Sequence, residues 1–186
     1  MKKFSLNFSI LSLTLLSGCA LNKKPMKPEG NNIIYLQSTV VNHLKETQNE
    51  EHSAAKEFLN VMGGFYQSYN SKSEVLKKLN NLTEDRKTKI GIVMYGGNWC
   101  PDTHLGLPSF IRVLDEINFP VTNIQYHRVS HDKQQIDGKK ADLEIKSVPT
   151  VIFYNKQKGE EIGRIVEFPR ESWEEDLLNV MSFGVE

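Results

Sequence analysis

Gly96-Gly97-Asn98-Trp99-Cys100-Pro101-Asp102-Thr103 follows directly on Ile90-Gly91-Ile92-Val93-Met94-Tyr95, and Val148-Pro149-Thr150 stands further along the chain. The run from Ile90 is continuously apolar, the pattern of a strand covered on both faces. Beyond the cysteine, Leu107, Phe110, Ile111, Leu114 and Ile117 recur at steps of three and four, which predicts a helix. Pro108 inside that helix should kink it, because proline lacks the donor and crowds the preceding turn. Cys100 therefore falls between a buried strand and the first turn of a helix. Unpaired backbone donors and the positive helix end favour a thiolate there, and the carboxylate of Asp102 opposes it. Thr103 lies one turn on, with a hydroxyl able to donate to the sulfur.

Outward from this segment, Val121 to Val129 reads as a strand and Ala141 to Ile145 as a short helix. Val151-Ile152-Phe153-Tyr154 forms a further strand, Lys158-Gly159 a hairpin turn, and Glu160 to Phe168 the return strand. Ser172 with Glu175 predicts a capped helix over Trp173 to Met181. Toward the N-terminus, Ile33 to Val41 is rich in β-branched residues and reads as a first strand. Phe58, Leu59, Met62, Phe65, Tyr66 and Tyr69 form a helical stripe expected to lie in the core, weakened by Gly63 and Gly64 by ~1 kcal/mol each. A second helix is expected from Ser71, with Glu74 closing a capping box and Val75, Leu76, Leu79 and Leu82 on its apolar face.

From Ile90 the order is strand, helix, strand, helix, strand, strand, helix. With Trp99-Cys100-Pro101-Asp102, Pro108, Val148-Pro149-Thr150 and Gly159 in register, residues 71–183 resemble a thioredoxin-like domain. The resemblance implies an α/β thioredoxin-like fold, a mixed central sheet flanked by helices. The domain would span 71–186, preceded by an N-terminal strand and helix extension at 33–70. It also implies a cis Pro149 facing Cys100, backbone groups of Val148 open to an extended peptide, and Trp99 as an apolar wall beside the sulfur. Trp99 as simple packing and Pro149 as a rigid turn are compatible with the same residues. On this likeness Cys100 and Thr103 are the catalytic candidates, and Trp99, Pro101, Asp102, Val148 and Pro149 the substrate-binding ones. Two positions depart from the family pattern. Thr103 replaces the second cysteine, so a mixed disulfide on Cys100 has no internal thiol to release it. Met94 stands where the family commonly carries a buried acid.

The first residues carry a different signal. Lys2 and Lys3 precede an apolar run from Phe8 to Leu16, too short for a span of ~20 residues. Leu16-Ser17-Gly18-Cys19 follows and resembles the lipobox of bacterial lipoproteins. The likeness implies removal of residues 1–18 as a signal peptide and acylation of Cys19. Each buried methylene then contributes ~0.8 kcal/mol to membrane anchoring. Ala20, where an inner-membrane retention signal would usually have Asp, favours the outer membrane of a diderm cell. Residues 19–32, with Lys23, Lys24, Pro25, Lys27, Pro28 and Gly30, read as a lipidated tether. Of the two cysteines, lipidation of Cys19 would leave Cys100 as the free thiol, with no intramolecular structural disulfide to form.

The chain has 186 residues, 39% hydrophobic and 25% charged, with a formal net charge of zero. This length fits one domain, and the charge balance gives no general attraction to nucleic acid. His127 and His131-Asp132 lack a thiolate or Glu at ligand spacing, so no metal is expected, and no cofactor motif occurs. Those two histidines read as surface residues; His104 is either a neighbour that tunes Cys100 or solvent-facing. No Ser-His-Asp set, phosphate-cradling glycine loop or paired-carboxylate motif stands out. A peroxidase is disfavoured, since peroxidatic sites place threonine three residues before the cysteine. Two functions follow. One is a membrane-anchored envelope protein that exchanges thiols and disulfides through Cys100 alone, with disulfide- or thiol-bearing envelope proteins or small thiols as partners. The other is a redox-inactive module that binds peptides or proteins.

Overall fold

The computed structural model describes residues 38–47, 63–82, 84–133 and 144–184. The chain divides into two units, 1–32 and 33–186, and all described residues lie in the second. The predicted strand start at 33–37, the stripe residues 58–62, most of the 141–145 helix, and Cys19 fall outside the described residues.

Four strands form the sheet: β1 (Ile90–Gly96), β2 (Ile124–Arg128), β3 (Thr150–Asn155) and β4 (Glu160–Val166), in the order β2-β1-β3-β4. β1 is parallel to β2 and antiparallel to β3, which pairs antiparallel with β4. Every residue of β1 is buried, as the unbroken apolar run requires. Its two faces serve different clusters. Ile92 and Met94 join Leu107, Phe110, Ile111 and Leu114 in the main core. Val93 and Tyr95 join Cys100, Val129, Val148 and Ile152 in a smaller one. The alternation of β1 thus separates the main core from a small apolar cluster that includes the Cys100 sulfur. The tight β3–β4 hairpin turns through Gly159, whose φ of +69° suits a residue without a Cβ.

Six helices accompany the sheet among the described residues: α1 (Thr39–Thr47), α2 (Gly63–Ser68), α3 (Ser73–Asn81), α4 (Glu84–Lys89), α5 (Pro101–Glu116) and α6 (Trp173–Phe183). α5 runs through Pro108 and buries Leu107, Phe110, Ile111, Val113 and Leu114 on the sheet. α6 starts on the expected capping box: Ser172 Oγ accepts from Glu175 N–H at 3.3 Å and donates to the Glu175 carboxylate at 3.1 Å.

Several local expectations are corrected. Residues 39–41 are helical, not extended. Ser38 caps α1, its Oγ accepting from Val41 N–H at 3.0 Å, and Asp115 at the far end of α5 accepts from Val40 N–H at 3.1 Å. Capping and burial of Val40, Val41 and Leu44 override the strand preference of two valines. α3 begins at Ser73, and its N-cap, Lys72, makes no side-chain cap. The Lys72 N–H donates instead to buried Glu174 of α6 at 2.7 Å, so the box predicted from Ser71 and Glu74 does not form. Within the aromatic stripe Tyr66 is buried but Phe65 is 47% exposed. Residues 121–123 form a 3-10 turn before β2, and 144–146 are irregular. β4 stops at Val166 because Glu167 takes a φ of +63° and turns the chain, its N–H donating to Pro149 O at 2.7 Å.

Candidate active site around Cys100

Cys100 is the N-cap of α5, with φ −96° and ψ 117°, and Pro101 opens the helix where a missing N–H costs nothing. Its own N–H donates to Gly97 O at 2.9 Å, closing the turn between β1 and α5. The side chain is 7% exposed, and Sγ donates to Val148 O at 3.2 Å. The Val148–Pro149 peptide is cis. Sequence-distant residues 100 and 148 are therefore joined at one point, the pole of the sheet where β1 ends and β3 begins. The first turn of α5 also presents backbone N–H groups that have no partner within the helix.

Trp99 packs against the small cluster that holds Cys100. Its indole N–H donates to Val129 O at 3.1 Å, fixing the ring on the loop after β2. A Cβ at Gly97 would meet that ring at 2.6 Å, so only glycine admits the indole there. His131 stacks on Trp99 with centroids 4.1 Å apart, and Lys133 Nζ lies 5.5 Å from the ring centroid. His131 is exposed, as expected, yet it is engaged with the site. His127 stacks on Tyr95 at 5.3 Å. Periodicity carried no sign of the Trp99 clasp, since its members come from a turn beyond a strand end.

Thr103 does not take the role expected of it. It is fully buried, and its hydroxyl accepts from Gly97 N–H at 3.3 Å, with no bond to the Cys100 sulfur. The expected bond from this hydroxyl to Sγ is therefore not made, and the hydroxyl is engaged with the turn before Cys100 instead. His104 is not simply solvent-facing; its Nε2 lies 2.8 Å from Asn98 O. Pro101 is exposed and Asp102 half-buried at the rim, while Pro149 is buried behind Val148. Met94 is fully buried in the main core. Its register partner Tyr126 has a phenol raised well above its ordinary range by burial, with Arg128 acting weakly against this.

Sequence reasoning did not single out three exposed apolar residues that flank, along the chain, the close approach of α5 to the loops of Pro149 and Glu167. A Cβ at Gly106 would lie 3.3 Å from the Pro149 ring and 3.4 Å from Glu167 O, so α5 passes very close to both loops. Leu105, Val166 and Phe168 lie next to these contacts along the chain and are 44%, 43% and 47% exposed.

The site can thus present one sulfur, under a backbone carbonyl and beside an aromatic clasp. A family model described as thioredoxin matches residues 45–180. Among solved structures, a Pseudomonas aeruginosa protein of unknown function is 17% identical with a TM-score of 0.49, covering 76% of this chain and 90% of its own. A thioredoxin from Malassezia sympodialis is 18% identical with a TM-score of 0.33, over 50% and 73% of the two chains. Thioredoxin O2 from Arabidopsis thaliana in its oxidised state is 19% identical with a TM-score of 0.35, over 60% and 87%. No curated protein matches the chain. With the family model spanning most of its length, the chain belongs to the thioredoxin family.

Proposed function

We propose that the protein is a membrane-anchored thioredoxin-like protein of the bacterial envelope that exchanges thiols and disulfides through Cys100 alone. The observation that carries this reading is the placement of Cys100 Sγ against Val148 O at the start of α5, with threonine where a second thiol would stand. The thiolate attacks one sulfur of a client disulfide. A new S–S bond forms to Cys100, the old one breaks, and the other sulfur leaves as a thiolate that takes a proton from solvent. A second thiol, from the client, a partner protein or a small molecule, then attacks the mixed disulfide and frees Cys100. This sequence allows isomerase-like shuffling or removal of a small-thiol adduct, and net reduction only with an external thiol.

Trp99, Pro101 and Asp102 would line one side of the bound segment, with Val148 and Pro149 on the other. Acylated Cys19 would hold the domain at the membrane, the outer one by the residue at position 20, facing the periplasm.

The purified chain is incubated with glutathione disulfide and analysed by intact mass. A single glutathione on Cys100, removed by added thiol, is the expected result. Absence of any adduct, together with no client trapped on Cys100 in cells, would sink the exchange reading. The burial of Cys100, at 7% exposure, favours the second reading of a redox-inactive binding module. Under that reading, a Cys100→Ser chain retains the same bound partners. Anchoring is checked separately: membrane-extracted protein should carry acyl mass on residue 19, and Cys19→Ser should move it to the soluble fraction.

A further inference from the structure

We propose that Thr103 and His104 are positioning residues that grip the turn before Cys100, so that the position of a second cysteine serves to aim the first. This rests on the exchange reading and deepens it. Residues 97–99 belong to neither β1 nor α5, and two of the three, Gly97 and Asn98, have little intrinsic stiffness. Side chains, rather than a backbone ladder, must therefore hold them.

Two consecutive residues of the first turn of α5 supply that hold. Thr103 Oγ1 accepts from Gly97 N–H at 3.3 Å, and His104 Nε2 lies 2.8 Å from Asn98 O. A carbonyl oxygen only accepts, so Nε2 must carry a proton, and in the neutral ring the basic nitrogen is Nδ1. The bond consequently persists in both charge states of the imidazole. Beneath it, the Thr103 methyl fills the space against Gly96, where an added Cβ would come within 2.7 Å. The turn is closed by Cys100 N–H on Gly97 O at 2.9 Å. The grip thus acts on the peptide units immediately before the reactive residue, and Sγ ends 3.2 Å from Val148 O.

Aim matters more for one thiol than for two. A dithiol holds its second nucleophile nearby at all times. A single sulfur must meet its disulfide partner, and later the resolving thiol, in near-linear S–S–S geometry each time. An error of about 1 Å in such an approach can lower a rate by about 10²-fold.

The test uses the full chain with Cys19→Ser, so that Cys100 is the single thiol. Thr103→Val/His104→Ala removes both polar grips at nearly constant core volume. Thr103→Ser/His104→Gln keeps a hydroxyl and a side-chain donor. For each, the rate of Cys100 with glutathione disulfide is divided by its rate with iodoacetamide, a small reagent with little demand on aim. The ratio should fall by about fivefold or more in the first variant and return to within about twofold in the second. An unchanged ratio in the first variant, or a conservative pair that fails to restore it, overturns the proposal. If the Cys19→Ser chain shows no reaction with glutathione disulfide at all, the exchange reading fails by itself. Iodoacetamide then still decides the grip: alkylation of the 7% exposed sulfur should quicken in the first variant and not in the second. Nitrogen spectra of His104 give a readout besides reactivity, with Nε2–H as the expected tautomer and Nδ1–H as the refuting one.

Discussion

Replacing Asp115 by alanine should loosen the N-terminal helix more than any other single polar change in the described residues. The carboxylate accepts from Ser38 Oγ at 2.6 Å, Val40 N–H at 3.1 Å and Tyr66 Oη at 2.9 Å. Three elements meet on one side chain: the cap of α1, the middle of α2 and the end of α5. Hydrogen bonds to a charged acceptor contribute roughly 1.5–3 kcal/mol each; the three donors are buried, but Asp115 is only half-buried, so water can enter in place of its carboxylate. About 1 kcal/mol per bond is then a fair net value, or roughly 3 kcal/mol in all. For a domain of this size 1 kcal/mol moves Tm by about 2–4 °C, so Asp115→Ala should lower it by about 6–12 °C. Asp115→Asn, which keeps an acceptor and loses the charge, should cost about half as much. Thermal unfolding gives the total, and amide exchange at residues 40–44 shows whether α1 is what loosens. A fall below about 2 °C for alanine, or faster exchange spread evenly over α5 with α1 unaffected, would refute the reasoning.

Ser172→Ala should cost about 1 kcal/mol by removing the cap of α6, with Ser172→Thr or Ser172→Asp close to neutral; chemical denaturation reads the difference. Tyr66 gives a pH signature. Burial first, and then its hydrogen bond to Asp115, push its phenol from 10.0 up to about 12. With the folded value raised, its contribution is complete below pH 10 and is lost as pH rises toward 12, so stability should fall across that window. Tyr66→Phe should flatten this part of the profile, and an unchanged slope would count against the assignment. Thr103→Cys should create a chain able to resolve its own mixed disulfide, since side chains three apart on a helix have Cβ atoms about 5–6 Å apart. The glutathione adduct should then decay without added thiol, and a persistent adduct would show that more than the second thiol is missing.

What the sequence made legible follows physical range. β1 could be read because burial on both faces leaves a local record in seven consecutive residues. The apolar face of α5 and the cap of α6 are local as well, set by spacing over three or four positions. The strand-to-helix junction at Cys100 follows from these two. The elements misread are those decided by partners far away in the chain. Whether residues 39–41 extend or coil is settled by Asp115, 75 positions from Val40. Where α3 starts is settled by Glu174, 102 positions from Lys72. At the site the same division holds. Cys100, Trp99, Val148 and Pro149 were readable as a motif, while the clasp of His131 and Lys133 on Trp99 was not. The spacing of Thr103 from Cys100 places it one turn away without saying that its hydroxyl meets Gly97 N–H rather than the sulfur.

The surroundings of the turn bear on where protons travel if Cys100 exchanges disulfides. A departing thiolate needs a proton, and a resolving thiol must lose one. Behind the site, β1 offers Met94, fully buried and without a proton to trade. Across the register lies Tyr126, whose phenol burial holds well above its ordinary range, out of reach of neutral pH. The Thr103 hydroxyl beside them is occupied with Gly97 N–H and has no acid–base range of its own near neutrality. Proton traffic under the exchange reading is therefore confined to the rim, to solvent and the incoming molecule. That suits a sulfur resolved from outside, whose departing thiolate takes its proton from solvent at the rim. Under the exchange reading, a buried acid at position 94 would have no internal thiol to deprotonate, so Met94 and Thr103 are compatible with release of the mixed disulfide from outside.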